Sequence, residues 1–443
     1  MNPYIGYEIA LAVVVLYGVA VYALWRTGHI GADRTFSLLG PALMIKTQRG
    51  RSALDRWGRF VRFWTAASDV GILLAAAAMV LIFVLLVFGA IASTLSSGPA
   101  PSPTEALGLP GLNPVIPLGY GIVALVIGVV LHELSHGVVA RSQKIGVKSL
   151  GILWCVIPVG AFVEQDDTEM IAASRRRRDR VAAAGVLANF ALALVFFVVL
   201  AATVASTVQP TANGVGIAYV QPNTPAANAS LAPGDIIESI NGVATTSGAL
   251  FETSLEHTTP GEVVVVVWRS TNGSTENQSI TLATSPTVAG RGFLGVAVDA
   301  LTPTQIKQTL VSPLSSSLGP LDGAVYFLIL PFAGLEPVAG TTTSFFHLVG
   351  PLAGLGTGNF WIVANLLYWI AWMNLLLGLS NALPLVPLDG GLLFRDFVAS
   401  IAARFRRGWD AAQLDAVGTR AVAVSSVIVL VLLVWQFVVP RLL

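Results

Sequence analysis

Charge is scarce in this chain. Asp, Glu, Lys and Arg make up 11% of its 443 residues, well under the quarter or so of an ordinary soluble domain, which excludes a soluble globular protein. The net charge of +1 leaves no broad basic field of the kind that holds nucleic acid, so no nucleic-acid partner is expected. A single cysteine, Cys155, excludes an internal disulfide and says little about redox compartment. No pattern of spans is duplicated along the chain, which argues against a transporter built from inverted repeats.

What the chain has in abundance is apolar length: 54% of its residues are hydrophobic, and the mean hydropathy is +0.75. Six runs, 5–25, 70–92, 116–140, 181–204, 360–385 and 421–439, are each long enough to cross about 30 Å of hydrocarbon as a helix. The first has no basic residues before it, contains Glu8 and ends without a small-residue cleavage site, so it is expected to be a retained span and not a signal peptide. The fold class expected is therefore a polytopic α-helical membrane protein of about six transmembrane helices.

Basic residues fall almost entirely into three loops. Residues 26–69, 141–180 and 386–420 hold 21 of the 25 Lys and Arg. Short loops that retain positive charge stay in the cytoplasm, so these three are expected inside and both termini outside. The run Arg175, Arg176, Arg177, Arg178 reads as part of that signal and as a contact for lipid headgroups.

Between the fourth and fifth runs the character changes. From about residue 209 to 286, Val, Ile and Thr runs alternate with Gly, Asn, Pro and Ser turns, the pattern of a β-rich domain on the extracytoplasmic side. Residues 263–268 read as a strand, returned through Thr271, Asn272, Gly273 and Ser274 to a second strand at 278–282. Within this region SLAPGDIIESINGVAT (230–245) resembles the most recognisable stretch of PDZ domains. That resemblance implies a peptide ligand added as a strand at a sheet edge. A domain that only spaces or shields the membrane part stands as the other reading. Residues 94–114 read as an outer loop, and residues 324–338, apolar but broken by Pro331, as a segment lying on or re-entering the membrane. The organisation expected is two N-terminal helices with a basic loop (1–115), a first core half (116–208), a PDZ-like domain (209–300), a membrane-associated connection (301–359), a second core half (360–420) and a last helix (421–443).

The third run ends in VVLHELSHGVVAR. His132 and His136 are four residues apart and so share one helix face, with Glu133 beside them. Two imidazoles at that spacing can hold one Zn²⁺, and Glu133 can serve as general base toward water. Ionisable groups inside a bilayer are costly, and three within five residues mark function. A catalytic zinc needs a third protein ligand and an open position. No third His follows closely; the fifth run instead ends in LSNALPLVPLDGGLLF, which offers Asp389 on the same side of the membrane.

HELSH, then a span with Gly185 and Asn189, then NALPLVPLDGG together resemble the site-2 protease family of intramembrane metalloproteases. The resemblance implies a zinc site of His132, His136 and Asp389, with Glu133 catalytic. It implies single-span membrane proteins as substrates, cut within the bilayer, and the loop charges put the site near the cytoplasmic face. PVGAFV (158–163) resembles the family's re-entrant β-segment, which puts Pro158, Gly160 and Phe162 beside an unwound substrate. Asn189 and Asn381 match two intramembrane asparagines, expected to hold substrate backbone, to stabilise an oxyanion, or to bridge helices. The chain departs from the family at Val186, where Pro is frequent. His29, His257 and His347 are expected to be non-ligands. The rival reading is a non-catalytic membrane adaptor whose PDZ-like domain recruits peptides; a positioned Glu133 argues against it, because a closed structural zinc site needs four protein ligands and no base.

Overall fold

The computed structural model describes residues 5–31, 34–95, 102, 104, 108–315, 319–333, 338–406 and 408–442, with the side chains of 5–11, 157–159, 320–321 and 333 outside that description. The chain divides into two compact units, Met1–Leu194 with Ile370–Leu443, and Val195–Trp369.

The first unit is mainly helical. Helix α1 (Ile5–Arg26) is followed by a hairpin, β1 (Phe36–Leu39) and β2 (Ala42–Thr47), and by the short α2 (Arg51–Gly58). Then come α3 (Val61–Leu95), α4 (Leu118–Ser142), β3 (Val147–Cys155), β4 (Ile157–Gln165), α5 (Asp167–Ala172) and α6 (Arg175–Thr207). Among the described residues, five helices are long and apolar enough to cross a membrane: α3, α4, α6, one at Thr357–Asn381 and one from Ala411 to Arg441. The expected first span coincides with α1, of which the part with described side chains, Ala12–Arg26, is apolar but shorter.

Strands β1 to β4 form one antiparallel sheet in the order β1-β2-β3-β4, so β4 has no strand beyond it among the described residues. The expected β-segment at 158–163 is thus real but longer. It is one edge of a four-stranded sheet whose other half, the hairpin of residues 36–47, reads in sequence only as part of a basic loop. Phe36-Ser37-Leu38-Leu39, Gly40-Pro41 and Ala42-Leu43-Met44-Ile45 were the available signal: two apolar runs around a turn pair.

In the second unit, β5 (Val215–Val220), β6 (Ile236–Ile240), α7 (Gly248–Glu256), β7 (Val263–Arg269), β8 (Thr275–Thr281) and β9 (Val296–Val298) build a sheet in the order β8-β7-β6-β5-β9. The expected hairpin forms: Val263 pairs with Thr281 and Arg269 with Thr275, and Gly273 takes the positive φ of 90° that the turn needs. Val264, Val266, Ile217, Ile237 and Phe251 close a dry core under the sheet and α7. The apolar segment after this sheet is a helix over Pro320–Ile329 with a further turn at Leu330–Ala333, and residues 334–337 of that expected segment lie outside the described ones. Residues 96–101, 103 and 105–107 of the expected outer loop at 94–114 also lie outside them.

The chain ends with α8 (Thr357–Asn381), α9 (Asp389–Phe405) and α10 (Ala411–Val438). The expected run 360–385 stops being helical at Asn381. Pro384 lacks an N–H and disfavours helix at the residue before it, and the chain turns instead into α9.

Candidate metal centre

Helix α4 presents a buried face of small residues, Gly121, Ala124 and Gly128, that leads into His132 and His136. Small residues let helices approach closely inside an apolar medium. At Gly128 an added Cβ would stand 3.1 Å from the Asn374 amide oxygen of α8. The face that carries the histidines is therefore held tight against its neighbour.

Asp389 reaches the histidines by a different route. It is the first residue of α9, placed by the turn 382–388. That turn closes only because Gly390 and Gly391 follow: a Cβ on Gly391 would lie 2.7 Å from the Leu385 carbonyl oxygen, and one on Gly390 would collide with the Ala382 carbonyl. Two serines of α10 hold the loop from outside. The Ser425 hydroxyl donates to the Pro384 carbonyl at 2.7 Å, and the Val386 N–H donates to Ser426 Oγ at 3.1 Å. Neither serine is part of a recognisable motif in the sequence.

The three groups converge. His132 Nε2 and His136 Nε2 lie 3.1 Å apart, and Asp389 Oδ2 lies 3.2 Å from the first and 3.3 Å from the second. The two imidazoles are buried and Asp389 is nearly so. Among the described residues this is the one group of three or more His, Cys, Asp or Glu side chains placed to hold a metal ion. Two imidazoles and a carboxylate are a donor set suited to zinc. Gly185 of α6 gives the two rings their space: a Cβ there would stand 2.6 Å from His136 Nε2 and collide with the His132 ring.

The far ring nitrogens are also engaged. His136 Nδ1 lies 2.7 Å from the Val181 carbonyl, so its proton is on Nδ1 and Nε2 is left free as a ligand. His132 Nδ1 lies 3.1 Å from the side-chain amide of Asn189, which is wholly buried. The atom nearest His132 Nδ1 is the Asn189 amide nitrogen, and the amide oxygen is buried without a partner; with the amide turned over, that oxygen would accept a proton from Nδ1 and leave Nε2 free as a ligand, as at His136. Asn189 is thus placed as a partner of a candidate ligand.

Glu133, half-buried one residue from His132, accepts a hydrogen bond from the Val163 backbone N–H at 3.2 Å. This brings α4 and β4 together, as the sequence leads one to expect. The other residues expected at a substrate site are placed less centrally. Asn381 donates back to Leu377 of its own helix at 3.0 Å. The ring of Phe162 packs across Gly151 of β3, and Gly160 faces Leu153. Pro158 pairs through its backbone with Trp154, and its side chain lies outside the described residues. His29, His257 and His347 are exposed and absent from the metal group.

The arginine run of α6 also makes specific ion pairs. Arg178 pairs with the buried Asp396 of α9 at 3.0 Å, and Arg176 and Arg180 both bind Asp69 of α3. These pairs dock α6 and α9 two helical turns from Gly185 and Asp389.

Comparison with known proteins agrees with this geometry. The sequence profile of Peptidase family M50 matches residues 120–419. An uncharacterized protein of Methanocaldococcus jannaschii, MJ0971, is 26% identical over 403 residues, which cover 90% of this chain and 88% of the relative. A Clostridium perfringens protein with the provisional name zinc metalloprotease CPE1693 is 24% identical over 320 residues, 68% of this chain and 88% of its own length. Among solved structures, the PDZ domain of an SdrC-like protein of Listeria monocytogenes matches 20% of this chain and 92% of that domain, with 26% identity and a TM-score of 0.18.

Proposed function

We propose that this chain, a membrane metalloprotease because it belongs to peptidase family M50 and has five helices fit to cross a membrane among its described residues, is an intramembrane zinc protease of the site-2 type. On this reading it cleaves the transmembrane segments of single-span proteins in regulated intramembrane proteolysis. The observation that carries the reading is the meeting of His132, His136 and Asp389 beside Glu133, at the open edge of β4.

His132, His136 and Asp389 would hold the ion. Zinc supplies a Lewis acid that polarises a peptide carbonyl and makes a water molecule acidic near neutral pH. The chain's own residues do the rest. Glu133 takes the proton from water and returns it to the amine nitrogen as the peptide bond breaks. The Val181 carbonyl fixes the tautomer of His136 that leaves its Nε2 free, and Asn189, with its amide turned over, would do the same for His132. A helical peptide bond is shielded by its own hydrogen bonds, so the substrate must unwind, and β4 offers backbone partners for the groups this exposes. Asn381 lies near the start of the turn to Asp389, where its amide can turn to substrate backbone.

Topology completes the proposal. With α1 as a sixth span, the three basic loops lie inside, the active site opens near the cytoplasmic face, and the β-rich, PDZ-like domain is extracytoplasmic. That domain then meets the outer stub of a substrate, either recruiting it as a peptide ligand or excluding bulky ectodomains.

The test is purified full-length protein against a panel of single-span substrates. Glu133→Gln is expected to keep its zinc and to lose about 10²- to 10⁴-fold in turnover; cleavage at the wild-type rate would refute the assignment. On the same panel, deleting residues 209–286 should broaden the set of substrates cut if the domain excludes and narrow it if the domain recruits. Unchanged selectivity would sink both roles.

A further inference from the structure

The open edge of β4 is not uniform. In an antiparallel ladder the N–H and C=O of one residue point to the same side, and that side alternates along the strand. Leu150 stands opposite Val163, Gly151 opposite Phe162 and Ile152 opposite Ala161. The Val163 N–H leaves the ladder and reaches Glu133 Oε2 at 3.2 Å. Val163 and Ala161 therefore both turn their backbone groups to the open edge, and Phe162 between them turns its own to β3. One of these two edge amides is already bonded to the general base. Gly137, next to His136, makes the approach possible, since a Cβ there would lie 3.0 Å from Val163 Cγ1 and 2.9 Å from a Leu54 methyl.

We propose that the edge of β4 is divided in function: the Val163 N–H is a positioning group that orients Glu133, and substrate strand pairing is carried by the N–H and C=O of Ala161. The inference rests on the proposed peptide substrate for its second half only. A carboxylate bonded through one oxygen to a fixed backbone N–H is held in one rotamer, with its other oxygen free to take a proton from water. A substrate strand that pairs at Ala161 is set in register against that fixed base, because backbone pairing advances two residues at a time.

Proline tests the division, since it removes an N–H and is tolerated where that N–H faces away from the sheet. With full-length protein and a reporter holding one apolar span interrupted by Gly-Pro, Val163→Pro is expected to lower kcat about 10- to 100-fold, the range for losing a hydrogen bond to a charged group. KM and zinc content should stay near wild type. Ala161→Pro should instead raise KM by about tenfold, the worth of one typical backbone hydrogen bond, and leave kcat within about twofold. The same change in both parameters for both variants would overturn the division. A measurement that needs no turnover decides the first half: in ¹⁵N-valine-labelled protein, Glu133→Ala should shift the Val163 amide proton upfield. An unmoved Val163 resonance would overturn the positioning role even in a preparation that cleaves, and a moved one would support it even if no reporter span is cut.

Discussion

The two units of the chain bury opposite kinds of residue. In the β-rich unit Ile217, Ile237 and Val264 are sealed in the core, and charged groups such as Glu252 and Arg269 stay toward water. In the helical unit Leu73, Phe88 and Val80 are about 70% exposed, and His132, His136, Asn189 and Asp396 are buried. The physics is the same and the solvent differs. Lipid is as apolar as leucine, so outward-facing leucines in α3 lose nothing, and polar groups retreat to where they can satisfy one another. The imidazoles and amide gathered at the candidate site are among the polar groups this unit buries, and so is Asp396, whose pair with the partly buried Arg178 docks the helices that carry it.

The comparison predicts that each unit can be broken without the other. The largest effect is expected from Gly185→Ala, whose added methyl would occupy the space between the imidazoles. Zinc affinity and proteolysis should fall by about 100-fold or more, with the thermal transition of the β-rich unit unchanged; zinc assay beside calorimetry reads both. Retention of zinc by this variant would break the claim that the site is complete in these residues. A smaller effect is expected from Ile217→Ala, which hollows the β core and should cost about 2–5 kcal/mol of that unit's stability, with bound zinc kept. A linked loss of zinc would show that the units do not fail separately.

The smallest effect concerns the sheet beside the site. Burial works to raise the Glu164 carboxyl, but the Ser149 hydroxyl and the Lys46 ammonium hold it below its ordinary 4.5. A carboxylate whose folded value is depressed adds stability above its unfolded value and loses it as pH falls through the folded one. Glu164→Gln should therefore lower the melting temperature slightly at neutral pH, by the few tenths of a kcal/mol of a partly exposed pair, and make no difference once the pH is well below 4.5. An effect that persists in acid would assign Glu164 a role other than the ion pair.

Much of the helical unit was legible residue by residue. Each apolar run is helical over most of its length because length and composition set both lipid solubility and helix, and HELSH sets its own geometry because residues four apart share a face. The hairpin of the β-rich unit was legible through its turn chemistry. The hairpin at residues 36–47 was not, because a strand is stabilised by a partner distant in sequence, here β3, more than a hundred residues on. Asn189 was legible as important but not in its role: the sequence offers substrate, oxyanion or helix bridging, and the fold places its amide on His132.

By itself the sequence determined the membrane helices, the two imidazoles on one face and the candidacy of Asp389. Only the tertiary structure decided that Asp389 arrives between those imidazoles, that Gly185 leaves them room, that Ser425 and Ser426 hold the loop behind, and that Val163 holds Glu133. The reason is one of range. Helix periodicity and hydropathy act over a few residues of chain, whereas a metal site is closed by groups more than 250 residues apart, and their meeting depends on how whole helices and a sheet edge pack.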